Sequence, residues 1–286
     1  MSPGGRAAET QPLSCSELLT SLSERIPAAR SGSRAACCGV VGFKPTYGLV
    51  SLDGCFPLAP TFDHAGPMAR DVVTCTRAME TLVPRFDVHA LETLDELSVG
   101  VLWADEPDPL VRARVGEAVA HFKHRRNVAL STADDVDDLF GHEVADVHRE
   151  LFAENTDLYG DDVRGKIERC LEVTDEEAER GAEARLAFRQ EAEDAIEGLD
   201  LLIAPTLAFV APEIGEGEHG DLQFRRSMIR FTFPFNALGW PVLALPCGSA
   251  EHGLPASVQL VGRPGSDPLV LAAGRLLEGA LAHPSA

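Results

Sequence analysis

Lysine is scarce in this sequence, and the charge balance is strongly acidic. The chain of 286 residues has 25 basic and 45 acidic residues, which gives a formal net charge of −20. The only lysines are Lys44, Lys123 and Lys166. A surface of this sign repels nucleic-acid phosphates and anionic lipid. We therefore expect no direct binding to nucleic acid.

The sequence also has no long apolar run. No stretch approaches the roughly 20 apolar residues that a membrane-spanning helix needs. The first residues do not show the basic region followed by an apolar region that marks a signal peptide. We therefore expect a cytoplasmic protein that makes no membrane contact.

Patterns typical of metal sites and disulfide frameworks are missing as well. The seven cysteines are odd in number and form no CxxC pair, so we interpret them as small buried side chains. His142, Glu143 and His148 do not have the spacing of HExxH. His121 and His124 lie among lysine and arginine residues, in what we interpret as a solvated basic patch. We expect neither a metal nor a cofactor.

From residue 37 onwards, apolar runs and helical periodicity alternate along the chain. Short apolar runs bounded by glycine or proline predict strands, and longer periodic segments predict helices, one of which opens with a capping box at Thr174. The predicted strands are 39–42, 97–102, 199–203, 241–246 and 256–261, and the predicted helices are 71–82, 110–122, 135–173 with a break at 159–160, 174–198 and 269–281. This order predicts an α/β protein with a mixed or parallel sheet covered on both faces.

Three motifs carry a family resemblance. The first reads CGVVGFKPTYG at residues 38–48 and continues as DHAGPMAR at 63–70. The second reads DLLIAPT at 200–206, and the third begins as FTFPFN at 231–236 and ends as QLVGR at 259–263. In this order they resemble the C-terminal part of the amidase-signature family, over residues 37–286. The resemblance implies the α/β amidase-signature fold, with a mixed central sheet, helices on both faces and the N-terminal part missing.

The resemblance also implies a reaction. Members of this family cleave amides with a serine nucleophile, a second serine held in a cis peptide, and a lysine that starts the proton relay. Serine attacks an amide only when a neighbouring base takes its proton, and a lysine can be that base only where burial makes it partly neutral. Glycine-rich backbone beside the serine donates N–H groups to the oxyanion. None of the three lysines matches the position of the family lysine.

The first 36 residues do not fit the family pattern. Where the family has PGGSSGG and GTDTGGSxRIPAA, this chain keeps only PGG at residues 3–5 and a displaced RIPAA at 25–29. The candidate nucleophiles in this stretch are Ser23 and Ser33, and neither has the glycines of the motif before it. We therefore divide the chain into a non-family head, 1–36, and an amidase-signature domain, 37–286.

A shifted reading frame would explain this head. One choice of codons for Ser23 to Arg34, read from the third base, encodes GTDTGGSVRIP, which is the nucleophile motif of the family. Our hypothesis is that residues from about Arg6 to Arg34 are a frameshifted reading, in which the nucleophile codon straddles Ala29 and Arg30. Neither of those side chains can attack an amide.

Other residues in the motifs have structural interpretations. Lys44 lies in a loop rich in glycine and proline, where a structural ion pair or a solvated charge is favoured over a catalytic base. Asp63 and His64 are neighbours on an extended segment and point to opposite faces, which argues against a shared site. Phe233 and Phe235 fit one face of an extended segment, or they line an acyl-group pocket as substrate-binding residues.

The sequence thus predicts an amide hydrolase by descent that is truncated and inactive as written. Its substrate would be a small carboxamide, which reacts through an acyl-serine and releases ammonia. Two alternatives stay open. The chain is a non-catalytic remnant or partner-dependent fragment, or it is the A subunit of a tRNA-dependent amidotransferase. Its protein partner would be a second copy in a homodimer, or the other amidotransferase subunits.

Overall fold

The computed structural model describes residues 28–88, 90–213 and 222–282. Its strands are β1 (Val41–Lys44), β2 (Met68–Ala69), β3 (Ser98–Val101), β4 (His124–Asn127), β5 (Leu201–Pro205), β6 (Val242–Ser249) and β7 (Pro255–Val261). They form one sheet in the order β2-β1-β6-β7-β5-β3-β4. The β3–β4 and β3–β5 pairs are parallel, and the other pairs are antiparallel. The predicted mixed sheet is confirmed.

Helices cover both faces of this sheet. They are α1 (Ala28–Cys38), α2 (Val72–Leu82), α3 (Pro109–Ala120), α4 (Asp137–Asn155), α5 (Asp161–Leu171), α6 (Asp175–Ala195), α7 (Leu222–Ile229), α8 (Phe233–Leu238) and α9 (Asp267–Ala282). One apolar core contains buried residues of α2, α3 and α9, and the other contains buried residues of α4, α5, α6 and α8. The prediction of helices on both faces is therefore confirmed.

The predicted elements are present, and the structure adds several that the sequence did not reveal. The capping box at Thr174 opens α6: its side chain and that of Glu177 each bond the backbone of the other. The segment of Phe233 and Phe235 is helical, so the interpretation as an extended segment is wrong. Strand β4 lies at one edge with all four residues exposed, which agrees with a solvated basic patch.

The loop that connects β1 to β2 depends on close backbone approach. A Cβ atom on Gly66 would lie 2.1 Å from Phe43 O and 2.7 Å from Pro45 Cδ. No side chain fits at that distance, so Gly66 allows this loop to pack directly against β1.

Within the described ranges, every helix is too short or too polar to span a membrane.

Candidate active site beneath helix α1

Helix α1 lies across the sheet over a row of residues in register. Gly42 of β1 pairs with Ala244 of β6, which pairs with Gln259 of β7. A Cβ atom on Gly32 of α1 would lie 3.3 Å from Thr232 Cγ2 and 4.0 Å from Ala244 Cβ. The small residues of the row let the helix approach the sheet closely, and the buried amide of Gln259 lies within this contact.

Lys44 lies at the end of β1, on the same face of the sheet as Gly42. Its side chain is 6% exposed, and its Nζ donates hydrogen bonds to Trp240 O and, at 3.4 Å, to Pro45 O. Among the described residues no carboxylate forms an ion pair with it. Burial lowers the pKa of Lys44 to about 7, and the negative charge of Asp267 opposes this shift. The interpretation as a solvated charge is therefore wrong, and the interpretation as a structural ion pair stays a prediction.

Asp63 and His64 make separate contacts, as their adjacent positions predicted. Asp63 accepts hydrogen bonds from Leu58 N at 2.8 Å and Ala59 N at 3.2 Å. His64 Nδ1 lies 2.8 Å from Phe62 O. Burial, followed by the nearby Lys44 charge, lowers the pKa of His64 to about 2, so this imidazole is neutral at physiological pH.

Ser33, the second predicted nucleophile, lies on α1 and is 3% exposed. Its Oγ donates a hydrogen bond to Met228 O at 2.6 Å and lies 3.2 Å from Thr232 Oγ1. Because its proton is engaged by a carbonyl and its oxygen is shielded, attack on an amide would require α1 to move. The role of Ser33 as nucleophile stays a prediction. Ser23 lies outside the described residues.

Phe233 and Phe235, the predicted substrate-binding residues, are buried on α8. The Phe233 ring stacks on Phe62 with centroids 6.2 Å apart, and the Phe235 ring lies 5.7 Å from Trp103. Both rings contribute to the apolar core on this face of the sheet. Their contact with a substrate stays a prediction.

The division of the chain at residue 36 also stays a prediction. Residues 1–27 lie outside the described part, and residues 28–36 belong to α1. Ala35 and Ala36 of this helix are buried.

His142 and His148, two of the histidines singled out in the sequence, contact acidic and aromatic side chains, and His142 Nδ1 also lies 3.5 Å from Asp146 Oδ2. His142 Nε2 lies 3.0 Å from Asp175 Oδ1, and His148 Nδ1 lies 3.0 Å from Tyr159 Oη. In the described part of the chain, no three histidine, cysteine or acidic side chains are grouped as metal ligands would be.

A wide groove opens at the carboxyl ends of the parallel strands β3 and β5. Its volume is about 780 Å³, and Asp108 follows β3 into it while Phe209 and Val210 follow β5. Crevices at this position are the usual ligand sites of α/β sheets. Helix α7 connects the groove to α1, because Ser227 lines the groove and the next residue, Met228, accepts the hydrogen bond from Ser33.

Sequence reasoning missed Thr232 and Gln259, and it missed the burial of Lys44. A signal for Lys44 was present: residues 42 and 44 of one strand share a face, and a glycine at 42 indicates that something packs closely there. No comparable signal exists for Gln259, whose place under α1 follows from the order of the strands.

Comparison with known proteins agrees with the motifs and the fold. The family model described as Amidase matches residues 23–125 and 88–271. The A subunit of the glutamyl-tRNA(Gln) amidotransferase of Symbiobacterium thermophilum is 29% identical, over 83% of this chain and 58% of that protein. The putative amidase AmiD of Mycobacterium bovis is 27% identical, over 84% of this chain and 56% of that protein.

Solved structures show the same relationship. A crystal structure of an amidase superposes with a TM-score of 0.77 at 30% identity, and the match covers 89% of this chain and 61% of the other. The chain thus spans about three fifths of the length of the relatives that it matches. The resemblance drawn from the three motifs is confirmed, and the chain belongs to the amidase family, whose members carry the amidase signature.

Proposed function

We propose that this chain descends from an amide hydrolase and is catalytically inactive as written. In the parent reaction a serine hydroxyl attacks a small carboxamide, the C–N bond breaks with release of ammonia, and water hydrolyses the resulting acyl-serine to the carboxylic acid. The observation that carries this proposal is the match of the amidase family model over most of the chain, together with the shared fold.

The described residues provide the support for such a site. Helix α1 is packed on the sheet, and the shifted reading places the nucleophile codon at residues 29–30, within the first turn of this helix. The groove beside α7 has room for a small carboxamide. In the chain as written, residues 23–34 do not spell that motif, and the buried hydroxyl of Ser33 already donates its proton to a carbonyl. This combination supports inactivity of the chain on its own.

A chimera tests the proposal. The amino-terminal part of the Symbiobacterium relative, through the position that aligns with Arg34, is fused to residues 35–286 of this chain. We expect the chimera to release ammonia from simple carboxamides, and to lose this activity when the serine of the joined motif is replaced by alanine. The chain as written should release none. A folded chimera without activity, or ammonia release by the unaltered chain that disappears in Ser33→Ala, contradicts the proposal.

The second candidate function is that of an amidotransferase A subunit in the cytoplasm. It is favoured by the name of the Symbiobacterium relative, which is 29% identical. With a net charge of −20, this chain would leave contacts with RNA to partner subunits. Co-expression with the remaining amidotransferase subunits of that organism distinguishes the candidates. A stable complex supports the amidotransferase role, whereas a chain that elutes alone or as a homodimer supports the hydrolase.

A further inference from the structure

A small cavity separates α1 from the sheet. Its volume is about 10 Å³, close to the smallest space that holds one water molecule. The cavity is lined by Gly32, Gly42, Lys44, Thr232, Val242 and Gln259. Since three of these side chains are polar, the cavity differs from the dry voids of apolar cores.

Gln259 provides a hydrogen-bond acceptor at this cavity. Its side chain is completely buried, and its Nε2 donates hydrogen bonds to Pro205 O at 3.0 Å and Phe231 O at 2.7 Å. These two bonds fix the orientation of the amide. Its Oε1 is buried and has no hydrogen-bond partner within the described part of the chain. Buried amide oxygens in native proteins are nearly always bonded to protein or to ordered water.

Lys44 and Thr232 provide the complementary groups. An ammonium has three N–H donors, and Lys44 directs hydrogen bonds to two carbonyls, of which the one to Pro45 O is long at 3.4 Å. Thr232 Oγ1 lies 3.2 Å from Ser33 Oγ and 3.3 Å from Ile229 O. Both residues line the same cavity as Gln259.

We propose that this cavity is the binding site of one buried water molecule, which accepts a hydrogen bond from Lys44 Nζ and donates one to Gln259 Oε1. Thr232 Oγ1 is its third partner. Three polar partners are the usual number for a buried water. The molecule links β1, β7 and the segment before α8 at the point where α1 packs, and so holds Lys44 and the helix in place.

A crystal structure of the full chain, at a resolution that shows ordered water, tests this site. We expect one water within hydrogen-bond distance of Lys44 Nζ and Gln259 Oε1. In solution, the same molecule should give long-lived water–protein nuclear Overhauser effects to the methyl group of Thr232. Density in which Lys44 Nζ bonds Gln259 Oε1 directly, or a cavity without water, overturns the proposal.

Two variants and a control sharpen the test. Lys44→Met removes the main donor and should abolish the water signal, and Thr232→Val keeps the shape of the side chain and should shorten the residence time of the water at least tenfold. The control is Thr206→Val, because Thr206 is buried nearby but bonds Ser257 instead of lining the cavity. An unchanged water in Lys44→Met contradicts the assignment. Should a variant not fold, the unsubstituted structure alone decides.

Discussion

Lys44 is a buried amine whose protonation should be visible in the stability of the protein. Burial lowers its pKa from the ordinary 10.5 to about 7, while the unfolded chain keeps the ordinary value. Between these two values the unfolded state binds more protons than the folded state. The free energy of unfolding should therefore rise with pH in this window, with a slope of up to about 1.4 kcal/mol per pH unit.

Urea unfolding of the chain and of Lys44→Met, at a series of values from about pH 7 to 9, measures this slope. Above that range the thiols of Cys75 and Cys247, whose pKa burial raises to about 12, oppose the trend, because they ionise first in the unfolded chain. In Lys44→Met the free energy of unfolding should not rise over this pH range. In Lys123→Met, which replaces an exposed lysine, it should rise as in the unaltered chain. Parallel pH profiles for the chain and Lys44→Met would count against the buried amine.

Two glycines offer a matched pair of alanine substitutions. Gly66→Ala places a Cβ atom 2.1 Å from Phe43 O, so the backbone of β1 or of the loop must move. We expect the free energy of unfolding to fall by at least about 2 kcal/mol. Gly116 lies within α3 with open space around it. Gly116→Ala should therefore raise the free energy of unfolding by up to about 1 kcal/mol, because alanine has the higher helix propensity. Thermal unfolding measures both. Equal melting temperatures for the two variants would contradict this contrast.

At the scale of single elements, helix α6 depends on its capping box. Thr174 Oγ1 accepts a hydrogen bond from Glu177 N at 3.3 Å, and the Glu177 carboxylate accepts one from Thr174 N at 2.9 Å. Thr174→Ala removes the first bond and should lower the free energy of unfolding by about 0.5–2 kcal/mol. The control Thr81→Ala, at the exposed end of α2, should lower the free energy of unfolding less, because the Thr81 hydroxyl bonds Arg77 O of its own helix and caps no helix end. Chemical unfolding compares the two, and equal losses would argue against the cap.

The elements that sequence reasoning identified are those with strong local signals. The capping box predicted the start of α6, and apolar runs predicted the core strands. Helix α8 was missed because the alternation of Phe233 and Phe235 has the period of a strand, although a proline in the first turn and Gly239 at φ 73° after the last turn define a short helix. Strand β4 gave no apolar signal, because pairing with β3 alone determines its conformation.

At the scale of the whole molecule, the family motifs predicted the fold but not the buried polar cluster. Lys44 and Gln259 line one cavity because β6 lies between β1 and β7. That order brings together residues that are far apart in the sequence, and it cannot be read from local patterns. The position of Ser33 shows the same limit, since its partners Met228 and Thr232 come from segments near the other end of the chain.

The shifted reading frame can be tested against the structure and the gene. In the shifted reading, an isoleucine codon takes two of its bases from the codon of Ser33, and residue 33 is 3% exposed. A buried position on a helix that packs against a sheet suits isoleucine better than serine.

We therefore expect the DNA of residues 23–34 to encode GTDTGGSVRIP in a shifted reading frame. Resequencing of this region tests the prediction. A tryptic peptide that contains the shifted motif, found by mass spectrometry in the source cells, would show that the motif is translated. Codons that cannot encode GTDTGGS in any frame would end the hypothesis. In that case Ser33 would be a native residue of α1, whose hydroxyl contacts Met228 and Thr232 as part of the packing of the helix.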